Sequence, residues 1–273
     1  MCYIKNFIEK SSVAVKYIVG VSVEVENSNP RRDRIIGICL LKYDIDTMKC
    51  VSKLNVRLKP ENASISLKTY IRSGVTLKDL DGCAKYADVA DKVISIIGGA
   101  ETAVVGYNLR QFIIPFIYNE TARCAKRIDF SCDKYVFDIK DFMDLTGVYF
   151  RDMQTMVRHC NLFEPESYGI DLSTLAGEAK ASVVIFEKML EKGVEPELNF
   201  VYDNQGLIAY KRMRNTAFGD LNGTLQLVFV QGKYYGCPVT AVQKSDPAYI
   251  QWCLGDVSGL SRAVKDKLAA ALP

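Results

Sequence analysis

The sequence predicts an α/β protein: a five-stranded sheet with packed helices, followed by a small C-terminal α+β module. Three observations carry this expectation. Three strand-like runs follow one another directly, and further strands then alternate with segments of helical periodicity. The periodicity breaks at Lys192–Asn199, where Gly193 and Pro196 interrupt it. At 273 residues and 49% apolar composition, the chain is long enough for one medium domain with a substantial core and one small domain.

Element by element, strands are expected at 17–25, 34–44 and 48–58, with a turn near Asp44–Met48 between the last two. A helix is expected near 85–98, with Ala87, Val89, Val93, Ile96 and Ile97 on one face. A buried strand at 102–106 leads into a helix at about 109–125. A short strand at 135–138 precedes helices near 140–145, 150–161 and 173–192. The expected boundaries are a first domain at 1–193, a linker at 194–199 and a module at 200–273. In the module, Tyr249, Trp252 and Leu254 read as core residues of one helix face.

Composition excludes several classes. No apolar run reaches the length of a membrane span. Lys5, Glu9, Lys10 and Lys16 interrupt every apolar stretch near the N-terminus, so no secretory leader is expected there. Nine cysteines, odd in number and never in Cys-x-x-Cys spacing, suit reduced thiols and an intracellular location, cytoplasmic or nuclear. From Lys211 onward eight Lys and Arg stand against four acids, a net of +4, which leaves −1 for the rest of the chain. A basic module of that kind suits contact with a phosphate backbone, and ordinary solvated charge explains it equally well.

The motifs are more specific. Residues 104–117 read Val-Val-Gly-Tyr-Asn-Leu-Arg-Gln-Phe-Ile-Ile-Pro-Phe-Ile, Pro30–Ile36 reads Pro-Arg-Arg-Asp-Arg-Ile-Ile, and Gly74–Leu80 reads Gly-Val-Thr-Leu-Lys-Asp-Leu. With Ser173–Ala181, these segments resemble, in order, the signatures of the DnaQ-like (DEDDh) 3′–5′ exonuclease family over residues 15–193. Gly232–Val239 and Asp246–Leu254 resemble the C-terminal module of exodeoxyribonuclease X-like proteins. The resemblance implies a ribonuclease H-like exonuclease fold, with a mixed five-stranded sheet and helices on both faces.

In that family four acidic side chains hold two metal ions, and a histidine takes the proton from the attacking water. Position by position, the resemblance places Ser22 and Glu24 at the Asp-x-Glu of the first strand. It places Ile113 at the second-motif aspartate, Ser173 at the histidine and Glu178 at the last aspartate. Strand alternation puts 22 and 24 on one face. Glu24 and Glu178 survive as acids; Ser22, Ile113 and Ser173 remove two ligands and the base. An isoleucine binds no cation, and a serine hydroxyl is too weakly basic to replace imidazole. No metal is therefore expected, with Mg2+ or Mn2+ at Glu24 and Glu178 only if an active site has been rebuilt. Ile113 is expected near Glu24, packed with Val23, Phe112 or Phe116. Of the other acids, Glu26 and Asp33 read as a solvated strand end and turn, and Asp138, Asp141 and Asp144 as helix caps and an exposed face. His159, the single histidine, reads as a partly buried helix residue.

Two functions remain. In the first, the chain binds single-stranded DNA or RNA without cutting it, through Arg31, Arg32, Tyr107, Asn108 and Arg110 at the old groove and Lys233 and Tyr234 in the module. In the second, it is an interaction subunit that rides on a polymerase or another nucleic-acid-processing protein, or forms a homodimer. Tyr235 and Cys237 replace two basic residues of the module's common form, which weakens a phosphate role there. Active metal-dependent 3′–5′ hydrolysis is the remaining alternative.

Overall fold

The computed structural model describes residues 3–10, 15–61, 65–128, 135–140, 152–159, 161–193, 200–201, 208–212, 225–229, 233–234, 237–258, 260 and 262–272. The chain divides into two compact units: Met1–Asp129 with Val136–Pro196, and Glu197–Pro273 with Phe130–Tyr135.

In the first unit β1 (Tyr17–Val25), β2 (Ile35–Asp44), β3 (Cys50–Arg57), β4 (Thr102–Gly106) and β5 (Val136–Asp138) form one sheet in the order β3-β2-β1-β4-β5. The β1–β2 and β2–β3 pairs are antiparallel and the β1–β4 and β4–β5 pairs parallel, so the sheet is mixed. β1 is buried along nearly its whole length; Tyr17–Val21 reads as an apolar run, and from Val21 to Val25 valines alternate with Ser22 and Glu24, which are buried as well. β3 is the edge, and there Lys53 and Arg57 stand exposed among half-buried neighbours.

Long helix α6 (Leu175–Glu191) crosses this sheet over β1 and β2. Thr174 caps it, its side chain accepting from the Gly177 N–H at 3.0 Å. Close approach needs a glycine: a Cβ on Gly20 would stand 2.1 Å from the Ala179 carbonyl oxygen. That contact seats the first turns of α6 beside Ser22. The sequence reading missed α1 (Tyr3–Lys10), which packs on α6. Phe7 meets Phe137 and Phe186 edge-on, each with centroids 6.1 Å apart, and Glu187 accepts the N–H groups of Tyr3 and Ile4 at 2.6 and 2.8 Å.

The opposite face is covered by α3 (Tyr86–Ile97) and α4 (Ile114–Arg123). The buried stripe of α3 is Tyr86, Ala90, Val93, Ile96 and Ile97; Val93, Ile96 and Ile97 are as expected, while Ala87 is exposed and Val89 half-buried. The helix expected at 109–125 comes in two parts. Leu109–Ile113 is a π-helical turn entered through Asn108 at φ 56°, and α4 follows it. The Asp138 carboxylate accepts the Arg110 backbone N–H at 2.9 Å and so holds the widened turn against β5.

A second unforeseen helix, α2 (Leu67–Ser73), is capped by Ser66 and ended by Gly74 at φ 70°. Gly74 closes this helix, and Val75 and Leu80 pack beyond it against Ile36. α5 (Met153–His159) lies within the expected 150–161 span; the helix expected near 140–145 lies outside the described residues.

In the second unit β6 (Phe200–Val201), β7 (Ile208–Arg212) and β8 (Leu225–Phe229) form an antiparallel sheet. It is accompanied by α7 (Val239–Ser245), α8 (Pro247–Leu254) and α9 (Arg262–Ala270). Its core is built from Phe229, Val242, Ile250, Cys253, Val264 and Leu268. The expected aromatic core face is corrected here: Ile250 and Cys253 point inward, Tyr249 and Leu254 sit at the margin, and Trp252 is 44% exposed. Among the described residues no helix is long and apolar enough to cross a membrane.

Candidate functional site

β4 ends at Gly106 and its parallel neighbour β1 runs on past it to Val25; a crevice at the carboxyl ends of such strands is the usual ligand position in an α/β sheet. Here it is a cleft of about 440 Å³. β1 and the residues after it supply Ser22, Val25 and Asn27; α2 supplies Lys68, Thr69 and Arg72. The β4–α4 connection supplies Tyr107, Asn108, Phe112 and Ile113. Asp152 and Met153 at α5 and Glu178 of α6 complete it.

Three of the five motif positions therefore meet in one cleft: Ser22, Ile113 and Glu178. Ser22 Oγ donates to Glu178 Oε2 at 2.5 Å. Burial holds the Glu178 carboxyl above the usual carboxylate range; the Ser22 hydroxyl and the Arg72 guanidinium pull it back, and Asp152 pushes it up again. Ile113 is 5% exposed and shares the cleft lining with Val23 and Phe112. Phe116 is fully buried, its ring stacked at a tilt on Phe112 with centroids 5.0 Å apart.

Glu24 shares the α6-facing side of β1 with Ser22 but does not line the cleft. It is buried and forms an ion pair with Arg57 Nη1 from the end of β3. Gly37, directly opposite Glu24 on β2, leaves the passage: a Cβ there would stand 3.1 Å from Arg57 Nη1 and 2.7 Å from Leu175 Cδ1. Ser173 is not brought into the cleft. It is exposed in the turn before α6, its N–H and hydroxyl both spent on Asp171 Oδ1 at 2.9 and 2.6 Å.

The remaining acids serve the fold. Glu26 is buried, not solvated as expected, because its carboxylate accepts the Arg34 N–H at 2.9 Å. Asp33 accepts the Asn29 N–H at 2.6 Å within the turn, and Asp138 accepts the N–H groups of Arg110 and Lys140. His159 closes α5, and Asp141 and Asp144 lie outside the described residues. The sequence reading missed Asp152, which caps α5 by accepting the Thr155 N–H at 2.8 Å. A pair of divalent cations needs a converging set of oxygen donors. Ile113 offers none, Glu24 is claimed by Arg57, and Glu178 is tied to Ser22, so these residues do not fit the metal pair. Among the described residues no group of three or more His, Cys, Asp or Glu is placed to hold a metal ion.

Of the expected nucleic-acid contacts, Tyr107 and Asn108 line the cleft. Arg110 does not. It is 4% exposed, and its Nη2 donates to the Val136 carbonyl at 3.0 Å, because the π-helical turn pinned by Asp138 rotates it inward. Arg31 and Arg32 are exposed on a turn held by Asn29 and by Arg123, whose Nη2 donates to the Pro30 carbonyl; neither lines the cleft. The cleft's cations are instead Lys68 and Arg72, which the sequence reading did not single out. In the second unit, Lys233 and Tyr234 both donate to Asp246, at 3.1 and 2.6 Å, and the Lys233 ammonium lies 4.8 Å from the Tyr234 ring centroid. Tyr234 first and Lys233 second draw the Asp246 carboxyl down, and Tyr234 first and Asp246 second draw the Lys233 ammonium up.

A mixed sheet in this order, with its cleft where β1 and β4 end, defines a ribonuclease H-like α/β fold. Solved structures of exonuclease I share it. One matches with a TM-score of 0.55 at 14% identity, over 64% of this chain and 40% of that one. E. coli exonuclease I in complex with a dA16 oligonucleotide matches at 0.54 and 15%, over the same shares. A complex of exonuclease I with SSB-Ct matches at 0.52 and 14%, over 64% and 41%. The likeness is one of fold, and this chain spans about two fifths of the exonuclease I chains it matches. No family model and no curated protein matches the chain.

Two outcomes test this geometry. A carboxyl raised in the folded state favours the protonated form there, so its contribution to stability falls as pH rises through the unfolded value toward the folded one. Glu178→Gln is expected to leave the urea midpoint unchanged near about pH 4 and to raise it near about pH 8. A loss at the higher pH would mean that the ionised carboxylate is net stabilising. Arg57→Met strands Glu24 as a buried charge and is expected to cost roughly 1–3 kcal/mol, below the fully buried case because Arg57 is partly exposed. Adding Glu24→Gln should recover much of that loss; a purely additive double mutant would show the pair to be uncoupled.

Proposed function

We propose that this chain is a degenerate 3′–5′ exonuclease-fold protein that holds single-stranded nucleic acid in its cleft and does not hydrolyse it. The observation that carries the reading is the ion pair between Glu24 and Arg57: the acid surviving from the first motif is neutralised by a guanidinium from its own sheet. The Ser22–Glu178 hydrogen bond and the isoleucine in the cleft lining point the same way. Binding is supported by what remains, a cleft with Tyr107 and Phe112 for stacking and Lys68 and Arg72 for phosphates. Exonuclease I, which shares the fold, has been solved with oligonucleotides.

One observation favours a second reading, an interaction subunit of a nucleic-acid-processing complex. On α2, Leu67 and Ile71 are 71% and 74% exposed, with Tyr70 beside them, an outward apolar stripe on a short helix.

Purified protein is expected to leave single-stranded DNA and RNA intact with magnesium or manganese. Loss of even one positioned electrostatic contact costs on the order of 10²–10³ in rate, and two ligands and a base are gone here. Metal-dependent 3′–5′ digestion that disappears in Glu24→Ala protein would refute the inactive reading.

A further inference from the structure

α2 carries three stripes. Thr69 and Ser73 face the sheet, Leu67, Tyr70 and Ile71 face outward, and Lys68 and Arg72, one turn apart, face the cleft. Its placement is set by hydrogen bonds. Thr69 Oγ1 reaches the carbonyls of Val25 and Glu26, each at 3.0 Å, and the Thr69 N–H donates to Ser66 Oγ at 3.2 Å. The two cations are therefore fixed beside the end of β1, in the cleft that Ser22 also lines. Arg72 is close enough to Glu178 to draw its carboxyl down.

We propose that Lys68 and Arg72 form the phosphate-binding edge of the cleft, so that a single-stranded nucleic acid is held there without a divalent cation; this rests on the binding reading above. A metal-dependent phosphodiester site brings its positive charge as ions held by carboxylates. In this chain Glu24 is engaged by Arg57, Glu178 by Ser22, and Asp152 by the N–H and hydroxyl of Thr155. Lys68 and Arg72 are the Lys and Arg residues in the lining, and both side chains are exposed to a ligand. Tyr107, Phe112, Ile113 and Met153 supply an apolar and aromatic surface in the same cleft, which suits a base. The volume, about 440 Å³, falls in the range of roughly 300–1,000 Å³ typical of small-ligand sites and suits a nucleotide-sized part of a strand. Arg suits a phosphate by its forked geometry and Lys as a point charge.

The test is fluorescence anisotropy with a labelled short oligothymidylate, over a salt series, in EDTA and in magnesium. Wild-type protein is expected to bind equally in both. Lys68→Glu and Arg72→Glu should each reduce the slope of log affinity against log salt by about 0.7, and the double variant by about twice that. Lys92→Glu, on α3 and outside the cleft lining, should leave the slope unchanged. If a charge reversal disturbs the urea midpoint, Lys68→Gln and Arg72→Gln read the same slope. Binding that needs magnesium, or a slope that survives the double reversal, overturns this inference and leaves the binding reading standing. Absence of wild-type binding in EDTA and magnesium at about 50 mM salt, where phosphate contacts are strong, overturns the binding reading and this inference with it.

Discussion

A carboxylate buried on the face of a sheet needs a counter-charge, and the arrangement of the first unit follows from where Glu24 finds one. Its partner is Arg57, two strands away at the edge of the sheet. Reaching it requires the β1–β2–β3 register, with Gly37 opposite Glu24 and Arg57 opposite Gly37. Gly37 leaves the passage open between them: a Cβ there would crowd Arg57 Nη1 at 3.1 Å. In a two-metal site the same charge would be balanced by cations from solution. Here the counter-charge is the Arg57 guanidinium.

The same replacement runs through the rest of the cleft. Ser22 and Glu178 satisfy one another across the seam between β1 and α6, a seam closed by the contact of Gly20 with Ala179. Ile113 fills its position with an apolar side chain. The Lys and Arg of the cleft lining stand on α2, which is tied by Thr69 to the backbone at the end of β1. On the proposed reading, side chains supply the charge that bound ions would bring to a two-metal site.

Much of this was legible in the sequence, for physical reasons. β1 and β4 lie where they were expected because buried strands are dense in apolar, β-branched residues, Val and Ile here. The convergence of Ser22, Ile113 and Glu178 followed from motif order. Other features needed three-dimensional information. α1 and α2 have eight and seven residues, too short for periodicity to stand out. Arg110 looked like a groove cation until the π-helical turn and Asp138 rotated it inward. Arg57 carries no local signal, because its role depends on the register of three strands. Lys68 and Arg72 were hidden with their helix, and Ser173 turned away because Asp171 captures both of its donors.

The central claim is that internal partners have taken the place of metal ions at these carboxylates. Calorimetric titration of the purified protein with manganese addresses it directly. The account predicts no saturable heat from the wild-type protein. It also predicts none after Ile113→Asp alone, since Glu24 stays paired with Arg57 and Ser22 remains a serine. Saturable binding by the wild-type protein that is lost in both Glu24→Ala and Glu178→Ala variants would contradict it.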